Sequence, residues 1–252
     1  MQIKMVVTDL DGTLLREDKT ISERSLSALK KCREKGIKTV YATGRGVSTT
    51  TLVPHEFFDG YVRANGATAQ VDDVLIYEKI LSIENARELL IAADKAGIKI
   101  VTEKGGWHYG NFDVTEKWLW IPHSKIVEFD KLDIDIEKVY AVIRTPDDVR
   151  LIEKHMPDDA YLYVSRDDFA MVMHKEAEKS KAVAAVAAHW GIKQNEIVAF
   201  GDDTNDTELL KYCGTGVAMG NALDEVKAVA NQICDTNESD GIAKWLEENV
   251  LS

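Results

Sequence analysis

Two aspartates follow a short apolar run near the beginning of the chain. The run IKMVVTDL is typical of a strand buried on both faces, and Asp9 and Asp11 stand at its end, two residues apart. Two carboxylates this close repel each other and resist joint ionisation unless a positive charge lies between them. A solvated turn would explain the pair without chemistry. A metal ion, or a phosphate held through a metal ion, would explain it as a reactive site.

Polar residues also follow two other predicted strands, IKTVYAT and EIVAF. They are Thr43, Gly44 and Arg45 after the first, and Asp202, Asp203, Asn205 and Asp206 after the second. Ligands of parallel α/β sheets bind at the carboxyl ends of the strands, so these groups are expected to converge with the first pair. Converging carboxylates require a cation, and an all-oxygen ligand set favours a hard one such as Mg²⁺, although the same oxygens would accept Mn²⁺.

Two lysines open a predicted helix in the second half of the chain. Lys179 and Lys181 flank Ser180, which is the predicted N-cap of the helix SKAVAAVAAHWG. A cation in the first turn faces the positive end of the helix dipole, which is unfavourable. A negative group is therefore expected near one of them.

The order of the predicted elements divides the chain into two parts. Strands and helices alternate over 1–81 and again over 178–252, which predicts an α/β, Rossmann-like parallel sheet built from both segments. Between them, 82–177 reads as short strands with few helices, which predicts an inserted α+β module with an antiparallel sheet.

Four motifs carry a family resemblance. The segments DLDGT, ATGR, a lysine opening a helix, and GDDTND resemble the motifs of the haloacid dehalogenase (HAD) superfamily of phosphatases. The GDxxND form, with a module inserted before the lysine, is similar to the Cof-type subfamily IIB with a C2B-type cap, as are the later segments GVAMGNA and DGIA. The resemblance covers the whole predicted core, whereas over the inserted module it rests on length and element order.

The resemblance implies a set of catalytic and metal-binding roles. Asp9 would be the nucleophile that forms an aspartyl-phosphate, and Asp11 the general acid and base. Asp9, Asp202 and the backbone carbonyl of Asp11 would hold Mg²⁺. The acid–base role requires the pKa of Asp11 to be displaced toward working pH, which the neighbouring carboxylates are expected to do.

The resemblance also implies a set of phosphate-binding residues: Leu10, Thr43, Gly44, Lys181 and Asn205. Lys181 fits the position of the family's lysine by its spacing ahead of HWGI, although the residue after it is Ala182, where the family often has glycine. Lys179 is the alternative. Arg45 is expected either to reach the substrate or to pair with an acid on the surface. Asp206 would support the lysine or a metal-bound water, or only cap a helix.

The inserted module is rich in aromatic residues whose purpose the sequence leaves open. Trp107, Tyr109, Trp118 and Trp120 are expected more often to form the core of the module than to stack on a substrate. His108, His123 and His174 are further candidates for substrate contact, although a single histidine is weak evidence for a substrate site.

Composition narrows the classes of partner. The chain of 252 residues has 31 basic and 43 acidic side chains, net −12, which argues against nucleic acid or an anionic membrane as the main partner. Cys32, Cys213 and Cys234 are widely spaced and predict neither a disulfide framework nor a zinc site. No signal peptide or membrane span is expected, so we predict a cytoplasmic protein.

These observations predict a Mg²⁺-dependent phosphatase that acts on a small phosphorylated metabolite, in particular a sugar phosphate, as a monomer or small homo-oligomer. A phosphomutase of the same superfamily is the alternative enzyme, because transfer of phosphate back to a bound sugar needs the same groups. A phospho-acceptor regulatory protein is the alternative outside enzymes, although such domains are about half this length. A dinucleotide-binding module is disfavoured, because no GxGxxG follows the first strand.

Overall fold

The computed structural model describes residues 2–47, 52–72, 74–118, 121–164 and 168–252. Its strands are β1 (Met5–Thr8), β2 (Lys38–Ala42), β3 (Gly60–Arg63), β4 (Thr68–Val71), β5 (Val74–Glu78), β6 (Ile100–Lys104), β7 (Trp107–Gly110), β8 (Ser124–Ile126), β9 (Lys138–Val142), β10 (Ala160–Val164), β11 (Phe169–His174), β12 (Ile197–Gly201), β13 (Thr215–Ala218) and β14 (Gln232–Ile233). Its α-helices are α1 (Glu23–Glu34), α2 (Ile83–Lys95), α3 (Pro146–His155), α4 (Lys179–His189), α5 (Thr207–Tyr212), α6 (Asp224–Lys227) and α7 (Gly241–Asn249). No helix within the described ranges is both long and apolar enough to cross a membrane.

The chain folds into two compact units. The first, called here the core unit, comprises Met1–Arg45, Thr49–Glu78 and Glu178–Ser252. The second, the inserted unit, comprises Gly46–Ser48 and Lys79–Ala177. Its long segment begins three residues before the predicted range 82–177 and ends at the same residue.

The core unit is built on one eight-stranded sheet in the order β14-β13-β12-β1-β2-β3-β4-β5. The strands from β14 to β3 are parallel, and β4 and β5 add an antiparallel hairpin at one edge. This arrangement confirms the predicted α/β class with a parallel sheet. All four residues of β1 are buried, because the strand has neighbours on both sides and helices cover the sheet faces.

The register of β1 fixes the edge of the sheet where its polar neighbours meet. Thr8 lies opposite Phe200 of β12 and opposite Tyr41 of β2. The backbone N–H of Asp9 continues the ladder, donating to the Phe200 carbonyl at 3.0 Å. The residues that follow β1, β2 and β12 therefore leave the sheet at the same edge.

The inserted unit has a six-stranded sheet in the order β10-β11-β9-β6-β7-β8. Its pairs are antiparallel, as predicted, except that β7 and β8 run parallel. Helices α2 and α3 contribute to its larger apolar cluster, and a smaller cluster is built around Val101 and Tyr140. Trp118 packs against the smaller cluster, whereas Trp107 is 37% exposed and stacks on His123. Trp120 lies outside the described residues.

Candidate active site

Three carboxylates and one lysine meet at the carboxyl edge of the core sheet. One oxygen from each of Asp9, Asp202 and Asp206 lies within 4.8 Å of the others. The Lys179 Nζ donates to Asp9 Oδ1 at 2.7 Å and to Asp206 Oδ1 at 2.6 Å. With all groups ionised, one ammonium opposes three carboxylates, and the remaining charge of two is what a divalent cation would balance.

The lysine in this cluster is Lys179, the alternative that the sequence left open, and not Lys181, which was predicted to bind phosphate. The Lys179 side chain is 1% exposed, whereas that of Lys181 is 46% exposed and lies 3.5 Å from the Glu178 carboxylate. Helix α4 has Glu178, not Ser180, as its N-cap residue, so both lysines lie in its first turn. Positions two apart on a helix differ by about 200° in direction, so only one of them faces the sheet edge.

Burial governs the pKa values in this cluster. It raises the pKa of Asp9 well above the usual range even though Lys179 acts in the opposite direction. It also raises the pKa of Asp202 to about 6, with a hydrogen bond from Thr13 opposing it. Burial alone would lower the pKa of Lys179, but the Asp206 and Asp9 carboxylates outweigh it and raise the value. The lysine is therefore charged, and the carboxylates need a further positive charge to ionise together.

Both oxygens of Asp206 accept hydrogen bonds from neighbouring groups. Its Oδ1 accepts from Lys179, and its Oδ2 accepts from the backbone N–H groups of Asp202 at 3.0 Å and Asp203 at 3.3 Å. Asp9 and Asp202 have fewer such hydrogen bonds among the described residues, so their oxygens are the more available to a cation. Two carboxylates supplying hard oxygen ligands fit Mg²⁺ by their chemistry.

The turn after β1 shapes the pocket around Asp202. Gly12 has a φ of +78°, and a Cβ at this position would lie 2.3 Å from Asp202 Oδ2. The next residue, Thr13, donates its hydroxyl to Asp202 Oδ1 at 2.6 Å. Thr13 was not among the predicted site residues, although it belongs to the motif DLDGT. The glycine and the threonine of that motif thus place a carboxylate that is 189 residues away in the chain.

Asp11 does not have the raised pKa that its expected role requires. Arg45 binds it through two hydrogen bonds, Nε to Oδ2 at 2.5 Å and Nη2 to Oδ1 at 2.7 Å, and Lys19 Nζ lies 2.8 Å from Oδ1. Burial alone would raise the pKa of Asp11, but the hydrogen bonds and charges of Arg45 and Lys19 hold it at about 2. The expectation of a pKa near working pH is wrong for this conformation, because cations rather than carboxylates contact the side chain.

The other predicted phosphate-binding residues follow β1, β2 and β12 at the carboxyl edge of the core sheet. Thr43 is buried at the end of β2. The side chain of Leu10 is fully buried, so only its backbone could serve a ligand. Asn205 donates its side-chain amide to Asn65 Oδ1 at 2.9 Å. A Cβ on Gly44 would lie 2.9 Å from the same oxygen, Asn65 Oδ1, so glycine is favoured at this position.

Asn65 is a site residue that the sequence reasoning missed. It is buried, has a left-handed φ of +53°, and donates its N–H to the Thr43 carbonyl at 3.0 Å. The following Gly66 approaches the residue before the site lysine, since a Cβ there would lie 2.3 Å from the Glu178 carbonyl carbon. The Asn-Gly pair was an available turn signal. This turn therefore contacts the segments that carry Thr43, Lys179 and Asn205.

Comparison with known proteins identifies the family of the chain. A family described as haloacid dehalogenase-like hydrolase matches residues 6–246. The 5-amino-6-(5-phospho-D-ribitylamino)uracil phosphatase YitU of Bacillus subtilis is 28% identical over 97% of this chain and 96% of its own. The HMP-PP phosphatase of Klebsiella pneumoniae is 29% identical over 89% and 87% of the two chains. A solved HAD subclass IIB sugar phosphatase superposes with a TM-score of 0.84 at 26% identity, over 97% of this chain and 98% of its own.

Proposed function

The chain belongs to the haloacid dehalogenase-like hydrolases and is a phosphoric monoester hydrolase, and we propose that it uses Mg²⁺ and an aspartyl-phosphate at Asp9 to hydrolyse sugar phosphates. The observation that carries the proposal is the buried contact between Asp9 and Lys179 beside Asp202. A buried carboxylate that accepts a hydrogen bond from a lysine and lies beside a second carboxylate offers both a nucleophile and a metal ligand.

In the proposed first step, an oxygen of Asp9 attacks phosphorus and the bond from phosphorus to the leaving oxygen breaks. Lys179 donates to Asp9 Oδ1 and favours the ionised form of the carboxylate, against the burial that raises its pKa. Mg²⁺, held by Asp9, Asp202 and the backbone carbonyl of Asp11, supplies charge neutralisation of the phosphoryl oxygens when bound. Asn205 and Thr43 offer hydrogen-bond donors to the same oxygens.

In the proposed second step, water attacks the phosphorus of the aspartyl-phosphate, and Asp9 is released. Asp11 gives a proton to the leaving oxygen in the first step and takes one from this water in the second. While Arg45 and Lys19 hold it at a pKa of about 2, Asp11 is ionised at neutral pH and cannot donate a proton. The proposed acid role therefore requires Asp11 to leave Arg45 before the first step.

The proposed substrate class draws support from the names of the relatives. One is named for a phosphoribitylamino compound, and a structural neighbour is named as a sugar phosphatase. In line with the family resemblance, we assign the choice of substrate to the inserted unit. A small metabolite also suits a chain of net charge −12, which disfavours nucleic acid and anionic membranes as partners. A cytoplasmic location stays a prediction.

The test is release of inorganic phosphate from p-nitrophenyl phosphate and a panel of sugar phosphates. Each substrate is assayed with Mg²⁺, with a chelator, and with the Asp9→Asn variant. We expect release that requires the metal and is abolished by the substitution. Full activity of Asp9→Asn would show that Asp9 is not the nucleophile. Phosphate that stays on the sugar at a new position, with none released, would favour the phosphomutase.

A further inference from the structure

Two asparagine side chains hold the turn that follows β1 in the core unit. Asn221 Nδ2 donates to the Gly12 carbonyl at 2.7 Å, and Asn237 Nδ2 donates to the Leu15 carbonyl at 2.9 Å. Asn221 follows β13 and Asn237 follows β14, so two further strands of the same sheet supply these donors. The proposed function assigns no role to either side chain.

The two asparagines are also bound to each other and to the strand end that carries Asp202. The backbone N–H of Asn237 donates to Asn221 Oδ1 at 3.0 Å, so the amide of Asn221 is oriented with its nitrogen toward Gly12. The N–H of Leu223, two residues after Asn221, donates to the Asp202 carbonyl at 3.1 Å. Asn221 therefore reaches the turn from a segment that is tied to the backbone of Asp202.

The hydrogen bonds of the turn fix the peptides on both sides of the Asp11 carbonyl. The Leu10 carbonyl accepts from the N–H groups of Thr13 at 3.2 Å and Leu15 at 2.8 Å, and the Gly12 carbonyl accepts from the asparagine amide described above. The Asp11 carbonyl accepts no hydrogen bond from any residue that the structure describes. In the proposed function this carbonyl binds Mg²⁺, so the turn leaves free the one oxygen that the metal ion requires.

The same turn holds the carboxylate of Asp202, which is also proposed to bind Mg²⁺. The Thr13 hydroxyl donates to Asp202 Oδ1 at 2.6 Å, and a Cβ on Gly12 would lie 2.3 Å from Asp202 Oδ2. Gly12 has a φ of +78°, and a glycine backbone rotates more freely than that of other residues. Rotation at Gly12 would displace both the Asp11 carbonyl and the Thr13 hydroxyl, so a donor that fixes the Gly12 carbonyl would fix both.

We propose that Asn221 and Asn237 are positioning residues for the Mg²⁺ site. Their amides hold the turn so that the Asp11 carbonyl and the Asp202 carboxylate converge. The inference rests on the proposed function, which supplies the metal ion, and adds two residues that act on the metal ligands through the turn. Hydrogen bonds that orient the ligands of a metal ion typically change metal affinity by about tenfold to a hundredfold.

The test measures the dissociation constant of Mg²⁺ for the metal-free protein by titration calorimetry, without substrate. For Asn221→Ala we expect this constant to rise by about tenfold. For Asn237→Ala we expect a smaller rise, because the Leu15 carbonyl lies farther along the turn from Asp11. The metal-free melting temperature of each variant should fall by only a few degrees, since few hydrogen bonds are lost. A merely structural role would lower the melting temperature and leave the dissociation constant unchanged.

Asn249→Ala is the matched control. Asn249 is also an exposed asparagine of the core unit whose amide donates to a backbone carbonyl, that of Trp245 at 2.8 Å, but both residues belong to α7. We expect this variant to keep the wild-type dissociation constant. An unchanged constant in Asn221→Ala would overturn the proposal. An equal rise in Asn249→Ala would overturn it too, because it would assign the effect to general loosening of the core unit.

Failure of the proposed function gives a different result. If the wild-type protein binds Mg²⁺ and cleaves an ester, but Asn221→Ala binds Mg²⁺ as tightly, only the positioning role is wrong. If the wild type binds Mg²⁺ and cleaves no ester, the proposed function fails, and the dissociation constants still decide the positioning role. If the wild type binds no Mg²⁺, the proposed metal dependence and the positioning role both fail.

Discussion

Replacing Lys179 with methionine should disable the site and destabilise the core unit together. The substitution keeps a long side chain but removes the only lysine that contacts both Asp9 and Asp206 among the described residues. Removing one partner of a buried ion pair costs about 3–5 kcal/mol, because the remaining charge is left buried without compensation. For a chain of this size the corresponding fall in melting temperature is roughly 6–20 °C.

Activity should fall for the same electrostatic reason. Without the ammonium, burial and the Asp206 charge raise the pKa of Asp9 further, so a smaller fraction of the nucleophile is ionised at neutral pH. The phosphoryl group also loses a cation beside it. Loss of one such stabilising group typically lowers kcat by about a hundredfold to a thousandfold.

Lys181→Met is the matched control for this experiment. It removes the same charge two positions along the same helix, where the ion pair with Glu178 is half-exposed and 3.5 Å long. Pairs of this kind contribute about 0.2–0.5 kcal/mol, so the melting temperature should change by no more than about 2 °C. The assays are thermal melting and release of inorganic phosphate at fixed Mg²⁺ concentration.

The double variant Asp9→Asn with Lys179→Met separates charge from packing. It removes one of the two uncompensated carboxylates, so it should melt above Lys179→Met alone. Equal losses of melting temperature and activity in Lys179→Met and Lys181→Met would refute the electrostatic account of the site. A double variant with a lower melting temperature than Lys179→Met would refute it too.

Three further predictions concern other parts of the core unit. Arg45→Gln should raise the pKa of Asp11 from about 2 and move to higher pH the alkaline limb of the kcat/KM profile, where the general acid of the first step loses its proton; an unmoved limb would show that Arg45 does not control this group. The raised pKa of Asp202, about 6, means that metal-free protein loses stability from this group as pH rises from about 4 to 6, because the folded state binds the extra proton there. With a chelator present, the melting temperature of Asp202→Asn should therefore exceed that of wild type at neutral pH, and the two should converge below about pH 4. Added Mg²⁺ should raise the melting temperature of the wild type only. Asn65→Gly keeps the left-handed turn but removes Oδ1, the acceptor for the Asn205 amide, so kcat/KM should fall by about tenfold. Asp72→Gly, at another left-handed position, should leave kcat/KM unchanged.

The sequence was sufficient for the architecture and for the strand ends that carry the site. Apolar runs followed by Asp9 and by Asp202 predicted both the parallel sheet and the edge at which these groups converge. These features depend on local patterns, namely the length of a buried strand and the polar residue that ends it.

The errors concern groups whose surroundings come from distant segments. Ser180 is a favourable cap residue by type, but the turn around Gly66 packs on Glu178, and the helix begins at Lys179. The pKa of Asp11 depends on Arg45, which lies 34 residues away in the chain and reaches it only in the folded sheet.

The remaining contacts could be found only from the register of the folded strands. Asn65 and Asn205 are 140 residues apart, and nothing in either segment indicates that they meet. In the same way, Glu103, His108 and Lys138 form a row only because β6 lies between β7 and β9. β6 and β9 are not consecutive in the chain, so the chain order of the strands does not predict that they are neighbours.

The most direct test of the central claim is to locate the phosphoryl group on the enzyme during turnover. Asp11→Asn removes the proposed base of the second step, so an aspartyl-phosphate should accumulate when this variant is mixed with Mg²⁺ and an activated ester such as p-nitrophenyl phosphate. After acid quenching and peptide mapping by mass spectrometry, the account predicts a phosphoryl group on Asp9 and none on that peptide from Asp9→Asn. Turnover of the ester with no phosphoryl group on Asp9, or with the group on another residue, would contradict it.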